Sequence, residues 1–394
     1  VTTATRSHVH FAQLSEGDLD RLFAYRPDPV RPDADPELIA LSLGATLYTP
    51  GIRPNLLADI AKARAAGARS QVLCLEDAIS DHEVPAALAN VIAGLRTLAG
   101  REDEAGHLLF VRVREPEQIS RIVGELGDDI RVLTGFVLPK FDERTGPAYL
   151  DAVADGAAAT GRRLWAMPIL ESGDLIYRET RTDALVAIAG VLDKYREHVL
   201  ALRIGATDLS SVYALRRRPD VTLWDVHVVA SAIADIINVF ARAQDGYVIT
   251  GPVWEYFSAP SGLLRTQLRE TPFAEHAAQG LRQELMANHL DGLIREIVLD
   301  KVNGLVGKTI IHPSHIHPVH AMLAVSFEEW EDARDVMAAH DSGGGVRASS
   351  SRNKMNEAGP HRGWAQRTLN LAHVYGVTRP EITYVDLLDA GRTA

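Results

Sequence analysis

The chain has 394 residues, 46% of them hydrophobic and 24% charged, which supplies one large core and excludes general disorder. Lys and Arg number 41 against 52 Asp and Glu, and this formal net charge of −11, with no dense basic stripe, excludes the footprint of a protein that grips a nucleic-acid backbone. No run approaches the roughly 20 uncharged apolar residues of a membrane span; the best, Val226 to Phe240, is broken by His227, Asp235 and Asn238. Val1 to His10 is polar and carries no apolar h-region, so no secretory signal is read there. The single cysteine, Cys74, sits in the apolar run Gln71 to Leu75 and reads as a buried thiol of a cytoplasmic protein.

In chain order, a short helix at Ser15–Phe23 precedes Pro27, Pro29, Pro32 and Pro36, an extended connector expected to wrap the rest; residues 1–40 form this N-terminal piece. From 41 to 325, short β-branched runs alternate with longer Ala/Leu/Arg-rich stretches. Strands are predicted at Leu43–Tyr48, Gln71–Leu75, Leu108–Val113, Gly135–Leu138, Arg163–Ile169, Leu200–Gly205, Tyr247–Thr250 and Thr309–Ile311. Helices are predicted between them at Pro54–Ala66, Pro85–Ala99, Glu117–Leu126, Ala148–Thr160, Asp183–Glu197, Val226–Ala243 and Ala274–Asn288. Eight such units predict an α/β fold, a TIM (β/α)8 barrel. The rival, an open doubly wound sheet, would call for a GxGxxG turn after the first strand, and none is present. Ser258–Pro272 is longer than a simple βα loop and reads as a lid. Residues 326–394 form a C-terminal helical extension, with Gly/Ser loops around Gly343–Gly345 and Ser349–Ser351 and a helix near Gly363–Val374.

Nearly every predicted strand ends in an ionisable group: Glu76-Asp77, Arg112, Lys140, Glu171, Asp208 and His312. In a TIM barrel these ends surround the active site, so groups about 30 residues apart converge in one cup. Glu171 and Asp208, on adjacent strand ends, match the way Mg²⁺ is held by one or two carboxylates with oxygens of water and substrate. The competing reading of Asp208 is a helix N-cap before Leu209-Ser210-Ser211. Lys140 raises the prospect of Schiff-base chemistry, but a lysine among acids has its ammonium form favoured, so an electrostatic role is preferred. His312, His315, His317 and His320 raise the prospect of zinc, against which stands the absence of a carboxylate near them in sequence. The run Arg216-Arg217-Arg218 can meet a phosphate or carboxylate, or merely form a solvated face.

The ordered set Leu47-Tyr48-Thr49-Pro50-Gly51, Leu75-Glu76-Asp77-Ala78, Val111-Arg112-Val113, Leu138-Pro139-Lys140, Ile169-Leu170-Glu171, Gly205-Ala206-Thr207-Asp208, Gly307-Lys308 and Ile311-His312-Pro313 resembles the citrate lyase beta-subunit-like proteins of the HpcH/HpaI aldolase and citrate lyase family. The resemblance covers about residues 41 to 320. It implies a TIM barrel, bound Mg²⁺ (or Mn²⁺) and cleavage or formation of a carbon–carbon bond next to a carbonyl. It also implies Glu171 and Asp208 as metal ligands, Arg112 as the clamp on substrate carbonyl and carboxylate, and Glu76 and Asp77 as groups that orient metal-bound water and Arg112. A barrel-end salt bridge is the competing reading of that acidic pair. Tyr48, Pro50, Gly51, Lys140 and His312 fall at substrate-binding positions of the resemblance. Glu357, in Lys354-Met355-Asn356-Glu357, falls where the family supplies an acid to a neighbouring subunit, and is the candidate general acid/base; a surface carboxylate is the alternative. Departures from the family's pattern are Arg114 in place of Asn, Thr250-Gly251-Pro252 in place of an Asp, His315 in place of Gln, and Glu357 itself in place of Asp.

The functional expectation is therefore a Mg²⁺-dependent carbon–carbon lyase or aldolase acting through a stabilised enolate of an acyl-CoA or a 2-oxo/hydroxy acid. The alternatives are a metal-dependent thioesterase on the same cup, and a non-catalytic metabolite-binding barrel. The expected partners are the small-molecule substrate and further copies of the chain, as a trimer or a multiple of one, with neither nucleic acid nor membrane.

Overall fold

Eight strands close into one barrel in sequence order, every adjacent pair parallel. They are β1 (Ala45–Pro50), β2 (Ser70–Cys74), β3 (Leu108–Arg112), β4 (Gly135–Leu138), β5 (Trp165–Leu170), β6 (Leu202–Ile204), β7 (Ile249–Trp254) and β8 (Lys308–Ile310). This computed structural model describes residues 7–101, 106–257, 290–343, 345–349 and 353–393. Strands β2 to β5 are buried along their whole length, the reason they read as unbroken apolar runs rather than alternating ones.

The flanking helices are α1 (Leu56–Ala65), α2 (Val84–Ala99), α3 (Pro116–Leu126), α4 (Gly146–Thr160), α5 (Arg178–Lys194), α6 (His227–Phe240), α7 (Leu290–Val302) and α8 (Ile316–Leu323). Each covers the barrel with one apolar stripe. On α3 the stripe is Ile119, Ile122, Val123 and Leu126; Pro116 starts the helix and Gly127, at φ 52°, ends it. Alternate strand residues serve two cores. Leu73, Val111, Phe136 and Leu170 pack outward on the helices, whereas Val72, Phe110, Val137 and Met167 belong to a second cluster that includes the N- and C-terminal segments. Close strand approach also dictates sequence, since a Cβ on Gly135 would lie 1.9 Å from the Trp165 carbonyl oxygen.

Most element boundaries shift by a few residues from expectation, and two of the shifts have a plain physical reason. The first strand begins at Ala45 rather than Leu43, because Gly44, at φ 53°, turns the chain beside His320 and Tyr375. The seventh spans Ile249–Trp254 rather than ending at Thr250; Pro252 argues against a strand, but a shift of register between Gly251 and Trp254 accommodates it. The expected helix Ala274–Asn288 and the lid at Ser258–Pro272 lie outside the described residues.

The N-terminal segment packs against the barrel: Phe11, Leu22, Phe23 and Val30 bury in the same cluster as residues of β1 and β8. Residues Phe23–Tyr25 pair antiparallel with Val377–Thr378, which ties the two terminal segments together. Beyond the barrel, α9 (Phe327–Asp341) packs against α10 (Arg362–Tyr375), a hairpin of Val346–Ala348 with Met355–Glu357 lies between them in sequence, and α11 (Tyr384–Thr393) follows. Among the described residues no helix is long and apolar enough to cross a membrane.

Candidate active site

The strand register aligns Pro50 with Cys74, Cys74 with Arg112 and Arg112 with Val137, so the groups that follow these residues share the C-terminal mouth of the barrel. Arg112 is the last residue of β3 and is nearly buried. Its Nη2 meets Glu76 Oε2 at 3.0 Å and Asp77 Oδ2 at 3.2 Å, and its Nε donates to Cys74 Sγ at 3.2 Å. Its Nη1 has no partner among the described residues, which leaves one edge of the guanidinium fork for a ligand. Burial opposes the Arg112 cation, but Cys74, Tyr48, Glu76 and Asp77 outweigh it and raise the pKa above the ordinary arginine value.

Lys140 sits at φ 48°, a left-handed conformation uncommon outside glycine. That turn aims its backbone N–H at Glu171 Oε1, 2.8 Å away, while Nζ reaches Glu76 Oε1 at 2.5 Å and Asp77 Oδ1 at 3.4 Å. Burial works against the ammonium, but the hydrogen bond to Glu76 and the charges of Glu76, Asp77 and Asp208 raise its pKa. A lysine held this firmly as a cation is a poor amine nucleophile, and the Schiff-base reading loses its basis. Asp77 moves the opposite way. Burial would raise its pKa, yet the Glu76 hydrogen bond, Arg112 and Lys140 lower it.

Glu171 follows β5 and Asp208 lies in the first turn of the short helix Ala206–Ser211, whose N-cap is Gly205. Asp208 is therefore not the N-cap that its sequence context allows. Glu171 is buried, and its pKa is pushed up to about 8, first by that burial and then by the charge of Asp208. Asp208 is raised as well, by burial and by Asp77, in part relieved by Lys140 and by a hydrogen bond with Glu171. Gly205 makes room for the pair, since a Cβ there would lie 1.9 Å from Glu171 Oε2. Raised together in a partly buried mouth, the two carboxyls favour a proton, or a cation in its place. Their oxygen donors fit a hard divalent ion, which Glu171 and Asp208 could hold.

Tyr48 forms the floor: its ring lies 5.5 Å from Arg112 Cζ and 5.4 Å from Arg203 Cζ. Pro50 ends β1 beside it, and Gly51 is buried with its N–H on the Cys74 carbonyl at 2.8 Å. A side chain at Gly51 would collide with Val91 and Leu75, so packing alone accounts for that glycine. His312 stands at the rim after β8, stacked on Phe257 at 4.9 Å, with Nδ1 held by Ser314.

Other sequence candidates are drawn elsewhere. The four histidines disperse: His315 bonds the Tyr256 carbonyl, His317 the Leu387 carbonyl, and His320 accepts from the Ala45 N–H. Among the described residues no group of three or more His, Cys, Asp or Glu is arranged to hold a metal, so a histidine zinc site is not formed. Arg217 is buried and neutralised by Glu255 at 3.2 Å and by Glu296, and so is not free for substrate. Arg216 and Arg217 both line a cavity of about 340 Å³, beside Thr207 and Ser210, but the Arg217 charge is already paired there with Glu255. Arg114, which departs from the family's Asn, pairs with Asp81 and the Ile79 carbonyl. Glu357 lies in the hairpin against α9, where its N–H donates to His361 Nδ1, and among the described residues it makes no ion pair or hydrogen bond with the cup of its own chain. Sequence reasoning missed two members, Cys74 as acceptor for Arg112 and Arg203 beneath Tyr48; an arginine inside the predicted strand Leu200–Gly205 was the available signal for the second.

A closed parallel barrel with acids and bases gathered at the C-terminal mouth is that of a barrel enzyme. The chain belongs to the C–C bond lyases of the TIM-barrel fold, whose family model matches residues 37–377, and it is a lyase-type enzyme. Comparison with curated proteins gave no match. Among solved structures, the chain is similar to CitE from Mycobacterium tuberculosis, in complex with magnesium, acetoacetate and coenzyme A, at 21% identity over 84% of this chain and 97% of that one, TM-score 0.49. It is similar also to RipC from Yersinia pestis, at 17% identity over 72% and 95%, TM-score 0.43. A malate synthase of Haloferax volcanii, in ternary complex with pyruvate and acetyl-CoA, matches at 13% identity over 83% and 90%, TM-score 0.47.

Proposed function

We propose that the chain is a Mg²⁺-dependent carbon–carbon lyase of citrate lyase beta-subunit type, acting next to the carbonyl of an acyl-CoA or a 2-oxo/hydroxy acid. The observation that carries this reading is the Glu171/Asp208 pair, two carboxylates disfavoured as anions at the same barrel mouth as the Arg112 cation. Mn²⁺ suits the same oxygen donors. When bound, the ion supplies Lewis-acid stabilisation of the oxygen on which enolate charge develops.

The chain's own residues supply the remainder. In the cleavage direction the substrate hydroxyl loses its proton to a base, the C–O bond becomes a carbonyl, and the pair of the breaking C–C bond passes to the neighbouring carbonyl as an enolate. Protonation at carbon then completes the second product. Arg112, fixed by Glu76, Asp77 and Cys74, holds the substrate carboxylate or carbonyl oxygen with its free edge and needs no reorganisation as charge builds there. Lys140 pairs with Glu76, keeps Asp77 ionised and adds positive potential. Tyr48 and Pro50 close the floor, Gly51 lets the first loop lie tightly against β2, and His312 with Phe257 forms one wall. Glu357 is assigned the proton transfer at the cup of a second copy, in a trimeric or larger assembly. The location is cytoplasmic, with Cys74 a reduced thiol.

The test is mass-spectrometric product analysis of a panel of acyl-CoA thioesters and 2-oxo and hydroxy acids, with Mg²⁺ and with EDTA. Two carbon fragments that appear only with metal are expected. Free thiol with an intact acyl chain would overturn the lyase in favour of a thioesterase, and ligands that bind unchanged would reduce the barrel to a binding module.

A further inference from the structure

Arg203, on β6, is 1% exposed, yet none of its contacts is a carboxylate. Its Nη2 donates to Thr309 Oγ1 at 2.5 Å, its Nη1 lies 3.4 Å from Thr46 Oγ1 and 3.9 Å from Met167 Sδ, and its Nε has no partner. Thr309 is on β8 and Thr46 on β1, two and three strands away from β6 around the barrel, so the side chain crosses the lumen. Along the way it passes under the Tyr48 ring, whose distance to Arg112 is nearly the same. The column from the lumen to the mouth is thus a cation, an aromatic ring and a second cation. Arg112 is balanced by Glu76 and Asp77, whereas Arg203 pairs with no acid among the described residues.

A buried guanidinium without a counter-ion is costly, and an apolar replacement of similar size would ordinarily be as stable or more so. Packing therefore gives no reason for a charge at this point, while the cup above gives one. Four carboxylates face only Arg112 and Lys140 there, so an anionic substrate meets a mouth that its own charge opposes. A fixed cation below Tyr48, buried where the bulk solvent screens it little, offsets that field without occupying space in the cup. Its attraction to the ring also fixes Tyr48 beneath Arg112.

We propose that Arg203 is a positioning residue of the cup: an unpaired charge in the barrel lumen that holds Tyr48 under Arg112 and favours binding of an anionic substrate at the expense of metal affinity. This rests on the reading of Glu171 and Asp208 as metal ligands. One unit charge removed on the order of 10 Å from a bound ion, at an effective dielectric of about 20, shifts its binding by about tenfold per unit of the ion's charge.

The experiment compares wild type with Arg203→Met, Arg203→Gln and Arg203→Lys, reading thermal unfolding, calorimetric Mn²⁺ binding, and binding of oxalate, a dicarboxylate mimic of an enolate, to the Mn²⁺-loaded protein. Arg203→Met should unfold no earlier than wild type, bind Mn²⁺ at least about tenfold more tightly and bind oxalate at least about tenfold more weakly. Arg203→Gln, which keeps a donor toward Thr309 without the charge, should do the same, and decides the matter if the Met variant does not fold. Arg203→Lys should bind both ligands within about threefold of wild type. A charge-free variant that folds and binds both ligands as wild type does would overturn the inference alone. Loss of folding in both charge-free variants would make Arg203 a structural residue and overturn it too. Wild type that binds neither Mn²⁺ nor oxalate would remove the metal reading, and this inference with it.

Discussion

Glu171 is surrounded by groups that make its anion uncomfortable: it is buried, it faces Asp208, and only the Lys140 N–H and the more distant Arg112 relieve it. Those same features suit it to the proposed role of metal ligand, because a divalent ion would remove the repulsion that raises both carboxyl pKa values. Glu171→Ala or Asp208→Ala should therefore lower Mn²⁺ affinity beyond about 100-fold, the upper end of losses caused by outer-shell changes. The barrel should stay folded, since each truncation removes an unfavourable charge rather than a core contact. Calorimetry that finds Mn²⁺ affinity intact in both variants would sink the assignment. At this scale the sequence was informative wherever chemistry sits at a strand end, as with Glu76, Asp77, Arg112, Lys140, Glu171 and Asp208. It was mute where a partner comes from far along the chain. Arg217 looked available in sequence, but Glu296, 79 residues on, reaches it and is also bonded to Lys308 at 2.6 Å. No local pattern announces such a buried network.

At the scale of elements, the strands could be read because a parallel barrel strand is buried on both faces and so appears as a short apolar run. Helix α7 was not anticipated, because its buried residues include Glu296 and Asp300, which interrupt the apolar stripe and find their partners outside the helix, Lys308 for both, Arg217 for Glu296 and Trp224 for Asp300. The N-terminal segment carries a second polar core of this kind. His8 bonds Ser42 Oγ and His10 bonds the Ser42 carbonyl, while the His10 ring packs 4.5 Å from that of His320. Burial lowers the pKa of His8 to about 4, with Arg69 adding to it, and burial likewise holds His10 and His320 well below the usual imidazole value. The folded segment thus prefers neutral rings. Well above pH 6.5, the ordinary imidazole value, neither state binds these protons and the full stability is present. As pH falls from about 6.5 toward 4 the unfolded chain takes up protons that the folded chain refuses, so stability is lost at up to about 1.4 kcal/mol per pH unit for each ring. Thermal melts between pH 7 and pH 5 should show a steep fall in Tm, made shallower by His10→Gln. Equal slopes in the two proteins would show that the N-terminal segment is not the acid-sensitive element.

The whole molecule poses the question of where Glu357 acts. Its hairpin is seated on α9, its backbone is tied to His361, and among the described residues no hydrogen bond or ion pair links it to the mouth of its own barrel. Around it, Val346 is 60% exposed, Met355 56% and Trp364 43%, apolar side chains that a single chain leaves in water and a contact between copies would cover. If Glu357 is the proton-transfer group, each functional cup combines Arg112 of one copy with Glu357 of another, and the active species must be an oligomer. Glu357→Ala should then depress kcat far more than it raises KM, because a general acid/base acts chiefly in the transition state. Arg112→Ala should be inactive by itself for loss of the clamp. Mixing the two variants under conditions of proven subunit exchange should restore activity, since a cup from the Glu357→Ala copy can meet an acid from the Arg112→Ala copy. At equal proportions, with random assembly around a closed ring, about a quarter of the cups become complete, so roughly a quarter of wild-type turnover is expected. A strictly monomeric active enzyme, or no recovery after exchange, would take Glu357 out of the mechanism and leave the C-terminal hairpin with a purely structural task.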